Sequence, residues 1–279
     1  EFMPYGDLTR LGGIVVKGLS LKPRSGNPGP RIVETPCGLL NAIGLENIGV
    51  EAFLRDKLPS LPWDQTPVIV NLYARDTREF GELASLLSEE PGVAALEINV
   101  SCPNVRAGGV QFGQDPGLLA EVCRTVKARA GAKPIVVKLS PNVTDITVLA
   151  RSAEDSGADL ISLINTLSGM AVDIRTRRPR LGNVVGGLSG PAIKPVALRM
   201  VHAVCRAVHI PVIGLGGITT AEDILEFLLV GAHAVQIGSA NFQRPDRSFE
   251  LVRELEDLVR EQGISSWQDY RAGFREPVF

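Results

Sequence analysis

Cys102 stands in a burst of small polar residues, Asn99-Val100-Ser101-Cys102-Pro103-Asn104, that follows the apolar run from Val93 to Ile98. A thiol at such a strand end can act as base or nucleophile, and the asparagines beside it can grip a planar polar ligand with paired donors and acceptors. Pro103 lacks an N–H and has a fixed φ, so it stops the strand and sets the turn that aims the thiol. The motif holds no histidine, which argues against a protease-like nucleophile. General base action toward a carbon acid fits better, because an ordinary thiol titrates at ~8.5, close to working pH. Cys37, Cys123 and Cys205 fit the common fate of a free cysteine, a small buried apolar side chain.

Two lysines, Lys17 and Lys138, end apolar strands in Val15-Val16-Lys17 and Val136-Val137-Lys138. A cation there is costly unless it meets an anion or a polarised ring. Asn71, Asn99 and Asn165 occupy equivalent strand ends. Two glycine motifs close the chain's β/α pattern, Gly214-Leu215-Gly216-Gly217-Ile218 and Gly238-Ser239. Backbone N–H groups of such turns, with a following helix, suit a phosphate. Cations, asparagines and glycine amides together suit flavin mononucleotide (FMN), whose reduced ring carries negative charge near N1 and O2.

Stepping outward, short apolar runs alternate with helical patterns along the whole chain. Strands are expected at 13–18, 67–73, 94–100, 134–139, 160–165, 211–215 and 234–238, and helices at 78–88, 117–130, 146–156, 192–208, 221–230 and 248–262. Continuous apolar strands each followed by a helix imply a parallel sheet buried on both faces. A doubly wound open sheet is the competing architecture. The polar residues at nearly every strand end favour a (β/α)₈ TIM barrel, whose active site gathers at one face from many strands. Seven strands are one short, so the expectation is a single domain over 1–279 whose first strand is missing. Two long loops, 19–48 and 167–191, read as lids or binding segments. Arg175, Arg177, Arg178 and Arg180 in the second read as solvated or partner-facing surface.

The balance of 29 Lys and Arg against 31 Asp and Glu carries no footprint for nucleic acid. Three histidines without metal-ligand spacing argue against zinc. Four cysteines in 279 residues argue against a disulfide scaffold and for a reducing cytoplasm. No run reaches the ~18 apolar residues of a membrane span.

Four motifs in order, Asn41-Ala42-Ile43-Gly44-Leu45, Asn99 to Asn104, the segment from Ile164 through Asn165 and Thr166 to Met170, and Gly186 to Pro195, resemble the class 1B dihydroorotate dehydrogenases. The resemblance implies oxidation of (S)-dihydroorotate to orotate on FMN in a (β/α)₈ barrel, within pyrimidine (UMP) biosynthesis. It implies Cys102 as the base that removes the C5 proton. Substrate would be held by Lys17, by Asn41 with Ala42, Ile43, Gly44 and Leu45, and by Asn99, Asn165 and Thr166. Flavin contacts would come from Lys17, Gly18, Asn71, Asn99, Lys138, Ile164, Gly190, Gly216, Gly217, Gly238 and Ser239. It also implies a homodimer, and a heterotetramer with a subunit carrying FAD and a [2Fe–2S] cluster that passes electrons to NAD. The fumarate-using class 1A relatives share the Ser-Cys-Pro-Asn element and are the nearest alternative. A flavin-binding barrel without turnover is the alternative outside enzymes.

Overall fold

The computed structural model describes residues 2–100 and 112–275. In chain order its strands are β1 (Ile14–Val15), β2 (Ile32–Thr35), β3 (Gly38–Asn41), β4 (Val68–Leu72), β5 (Ala95–Asn99), β6 (Ile135–Lys138) and β7 (Leu160–Leu163). There follow β8 (Leu167–Met170), β9 (Val172–Asp173), β10 (Arg178–Pro179), β11 (Val185–Ser189), β12 (Val212–Leu215) and β13 (Ala234–Gln236). The helices are α1 (Val50–Ala52), α2 (Thr77–Leu87), α3 (Pro116–Lys127), α4 (Ile146–Asp155), α5 (Lys194–Cys205), α6 (Ala221–Leu229), α7 (Ala240–Gln243), α8 (Arg247–Glu261) and α9 (Trp267–Ala272).

Strands β1, β4, β5, β6, β7, β12 and β13 pair in that order, all parallel. Helices α2 to α6 and then α8 touch in succession around the outside. This is the curled α/β sheet of a TIM barrel, with β1 and β13 as the edges among the described residues. The expected strands and helices of the parallel sheet all appear, most of them trimmed by one to three residues at an end.

Alternation along each strand sorts the side chains. Leu96 and Ile98 of β5 join the core under the helices, while Ala95 packs with Val136 and Ile213 in a separate cluster flanked by Ile69 and Leu160. That second cluster is an inner barrel layer, one residue from each of several strands. Residues two positions further on, Asn71, Glu97, Lys138 and Ser162, share its parity and form the next layer up, joined by Gln236 of β13, which pairs with Leu215. Helix starts are set by side-chain caps: Asp76 on α2, Asp115 on α3, Asp145 on α4, and a reciprocal Thr220–Asp223 capping box on α6.

The two long loops are not loops throughout. Their strands β2, β3, β11 and β8 build an antiparallel sheet, and β9 with β10 forms a hairpin. Strands β2 and β3 pair across a short hairpin turn, but β3 meets β11 from far along the chain, with Asn41 opposite Gly187, so no local turn signals that pairing. Arg175, Arg177, Arg178 and Arg180 are exposed, as expected of surface. Cys37 departs from expectation: it sits exposed at the β2–β3 turn, whereas Cys123 is buried and Cys205 half-buried. A two-residue hairpin connection has no second layer over it to bury a side chain. No helix among the described residues is long and apolar enough to cross a membrane.

Candidate active site at the barrel mouth

The centre of the site is a carboxylate. Glu97 of β5 has no exposed surface. Its Oε1 accepts hydrogen bonds from Ser162 Oγ at 2.8 Å and Gln236 Nε2 at 3.2 Å. Its Oε2 accepts from Asn71 Nδ2 at 2.6 Å and lies 3.7 Å from Lys138 Nζ. Burial pushes the Glu97 pKa up, but the charge of Lys138 and the bonds from Ser162, Asn71 and Gln236 outweigh it and hold the carboxyl below the usual range. Side chains of β4, β6, β7 and β13 therefore converge on one anion carried by β5. Lys138 meets an anion as its position demanded, and that anion belongs to the protein.

A chain of amides runs from this layer toward the mouth. Asn99 Nδ2 donates to Asn71 Oδ1 at 3.5 Å, and Asn165 Nδ2 donates to Asn99 Oδ1 at 3.4 Å. Asn165 Oδ1 accepts the N–H of Thr166 at 2.8 Å. Asn142 clamps the same loop, donating to Thr166 O at 3.0 Å and accepting from Ser168 N at 2.9 Å. Gly18 lies against Asn71, where an added Cβ would come within 2.7 Å of Oδ1. Lys17, just before it, is exposed, two residues beyond the end of β1.

The antiparallel sheet covers this chain from one side. Asn41 Nδ2 donates to Gly187 O at 3.4 Å, and a Cβ on Gly187 would fall 2.1 Å from Thr166 Oγ1. Only glycine lets β11 approach that closely. The Ala42-to-Leu45 turn hangs from the same edge, with Asn27 Nδ2 bonded to Ala42 O. Gly44 has φ +77° and Leu45 φ +62°. A leucine in the left-handed region is a true outlier, of the kind that clusters at ligand-holding segments.

On the far side, Gly190, Gly216 and Gly217 meet. A Cβ on Gly217 would stand 2.9 Å from Gly190 O, and one on Gly216 would stand 3.3 Å from Ile164 Cγ1. The loop after Gly217 is braced from below: Asp223 accepts from Thr219 N, Thr220 N and Lys194 Nζ, and Arg247 donates to Thr219 O at 2.7 and 2.9 Å. Gly238 and Ser239 follow β13, the neighbour of β12, and a Cβ on Gly238 would meet none of the described residues within 4 Å. Open space over glycine backbone, with cations and amides at the mouth, fits a phosphate-bearing flavin. Cys102 lies outside the described residues.

The family model for dihydroorotate dehydrogenase matches residues 1–259. The chain belongs to the dihydroorotate dehydrogenase family. It is 66% identical to the catalytic subunit of dihydroorotate dehydrogenase B (NAD(+)) from Solidesulfovibrio magneticus, over 99% of this chain and 90% of that one. The subunit of the same name from Maridesulfovibrio salexigens is 64% identical over 99% of this chain and 91% of its own. That from Pelobacter propionicus is 56% identical over 96% and 88%. The class 1B resemblance drawn from four motifs agrees with these names.

Within this dihydroorotate dehydrogenase framework, sequence reasoning missed Glu97, Ser162, Gln236 and Asn142. For Glu97 the signal was available: it is a charged residue inside an apolar run, two positions before Asn99 and hence on the same face. Ser162 lies inside the apolar run of β7 but has no charge to mark it. The pairing of Asn142 with the Thr166 loop spans 24 positions and leaves no local trace.

Proposed function

We propose that this chain oxidises (S)-dihydroorotate to orotate in pyrimidine biosynthesis, as an FMN-binding barrel of one domain that hands electrons on toward NAD through a partner subunit. The observation that carries it is the assembly at one barrel end of Lys138, Asn71, Asn99, Asn165 and Thr166 in a single bonded network, in a chain of this family. FMN bound there would supply the acceptor for the hydride leaving substrate C6. Gly190, Gly216, Gly217, Gly238 and Ser239 would hold its phosphate and ribityl chain, and Gly18, Asn71, Lys138 and Ile164 its ring.

The chain's own side chains then divide the work. Asn41, Asn99, Asn165 and Thr166 present donors and acceptors to a planar, polar ring. The strained turn from Ala42 to Leu45 offers backbone N–H groups beside Asn41, suited to the substrate carboxylate. Lys17 and Lys138 would add positive charge beside the flavin, which takes up the electrons that the substrate loses. Cys102 takes the C5 proton as general base, a role typically worth ~10²–10⁴ in rate.

The catalytic-subunit names of the relatives support a partner for electron transfer, and the family supports FMN as cofactor. We place the enzyme in the cytoplasm, working as a homodimer within a heterotetramer whose other subunit carries FAD and a [2Fe–2S] cluster. The test is spectroscopic. Purified protein should be yellow, and dihydroorotate should bleach it without any partner. Cys102→Ala should stay yellow while its reduction rate falls about 10²–10⁴-fold. Near-normal bleaching in that variant would sink the assignment of the base.

A further inference from the structure

We propose that Glu97 is a positioning residue that sets the charge presented at the barrel mouth, holding Lys138 in a neutral pair and so keeping the flavin's reduction potential below the value Lys138 alone would give. This rests on the reading of the mouth as an FMN site. A wholly buried carboxylate is not what packing asks for at this place. A hydrophobic side chain of similar volume would continue the inner layer below it, and such replacements of buried ion pairs are often neutral or stabilising. Yet the barrel spends three neutral donors and one cation, from four neighbouring strands, to keep this group charged.

The partners of Glu97 show where its charge is felt. Lys138 and Asn71 are two of the residues assigned to the flavin ring, and both are fixed by the same oxygen, Oε2. With Nδ2 of Asn71 committed to Glu97, its Oδ1 faces Asn99. Ser162 and Gln236 hold the other oxygen, so the carboxylate cannot rotate away from Lys138 without losing both bonds. A cation at the flavin's N1–O2 edge stabilises the negative charge of the reduced ring, and an anion 3.7 Å behind that cation subtracts from the effect.

The experiment measures the midpoint potential of bound FMN by dye equilibration in the wild-type chain and three variants. Glu97→Gln keeps the shape and an acceptor oxygen while removing the charge. Its potential should rise by about 30 mV or more, the equivalent of a tenfold shift in a two-electron equilibrium. Lys138→Met should lower the potential, and the K138M/E97Q pair should bring it back toward wild type. An unchanged or lowered potential in flavin-loaded E97Q overturns the proposal. A merely structural Glu97 would reduce flavin content and thermal stability while leaving the potential in place. If E97Q alone fails to fold, the step from K138M, in which the Glu97 carboxylate has lost its cation, to K138M/E97Q, in which neither charge remains, reads the same quantity, and the absence of a rise overturns it equally. A wild-type chain that binds no FMN would instead defeat the reading of the site.

Discussion

The parallel barrel and the antiparallel sheet beside its mouth are held together by different means. In the barrel, Val68, Val70, Leu72, Leu96, Ile98, Ile135, Val137, Ile161 and Leu163 have no exposed surface, and a buried ionic layer sits above the inner cluster. The cover has a small core of Val33, Leu40, Ala42 and Leu181, and it exposes Ile32, Met170 and Val185. Regions with few buried apolar contacts open locally at lower free energy than the core. The barrel thus holds its ionic layer rigidly, while the cover, which carries Asn41 and the Ala42-to-Leu45 turn, is expected to open at the lower free energy.

That contrast can be broken first at Glu97. Glu97→Ala removes the anion 3.7 Å from Lys138 and the acceptor shared by Asn71, Ser162 and Gln236, and should cost about 3–5 kcal/mol of global stability, read by denaturant unfolding. A loss under 1 kcal/mol would mean the ionic layer is not part of the barrel's cooperative unit. Leu40→Ala should cost less, about 2–3 kcal/mol, the low end for a core leucine, because the cover can collapse around the gap. Hydrogen exchange should quicken in β2, β3 and β11 and leave β4 to β7 protected. Equal loss of protection in both would erase the distinction drawn here.

Acid gives the finest comparison. The Glu97 carboxyl is held below its ordinary value, so its contribution is fully present above ~4.3 and is lost as pH falls through the depressed value. Glu97→Gln should therefore show a shallower loss of stability on acidification than wild type. Asp173 in the cover hairpin is also lowered, by the N–H groups of Thr176 and Arg175, but it bonds at the surface. Asp173→Asn should leave the acid-unfolding profile nearly unchanged. A larger effect from Asp173 than from Glu97 would reverse the assignment of which region carries the pH dependence.

Much of the barrel was legible in the residues alone. Hydrophobic runs of strand length, helical periodicity and polar residues at strand ends are local signals, set over a few positions. They placed the parallel strands and most helices, put Asn71, Asn99, Lys138 and Asn165 at one end of the sheet, and, with the four motifs, pointed to the family. Tertiary structure decided the rest. Asn41 meets Gly187 across 146 positions, and Thr166 meets the same glycine because β11 carries no side chain there. Glu97 is an ionised, fully satisfied carboxylate only because strands distant in sequence deliver Ser162, Gln236, Asn71 and Lys138 to its two oxygens. Short-range order follows from the chain's own stereochemistry, whereas the electrostatics of a buried group belong to whichever neighbours the fold brings to it.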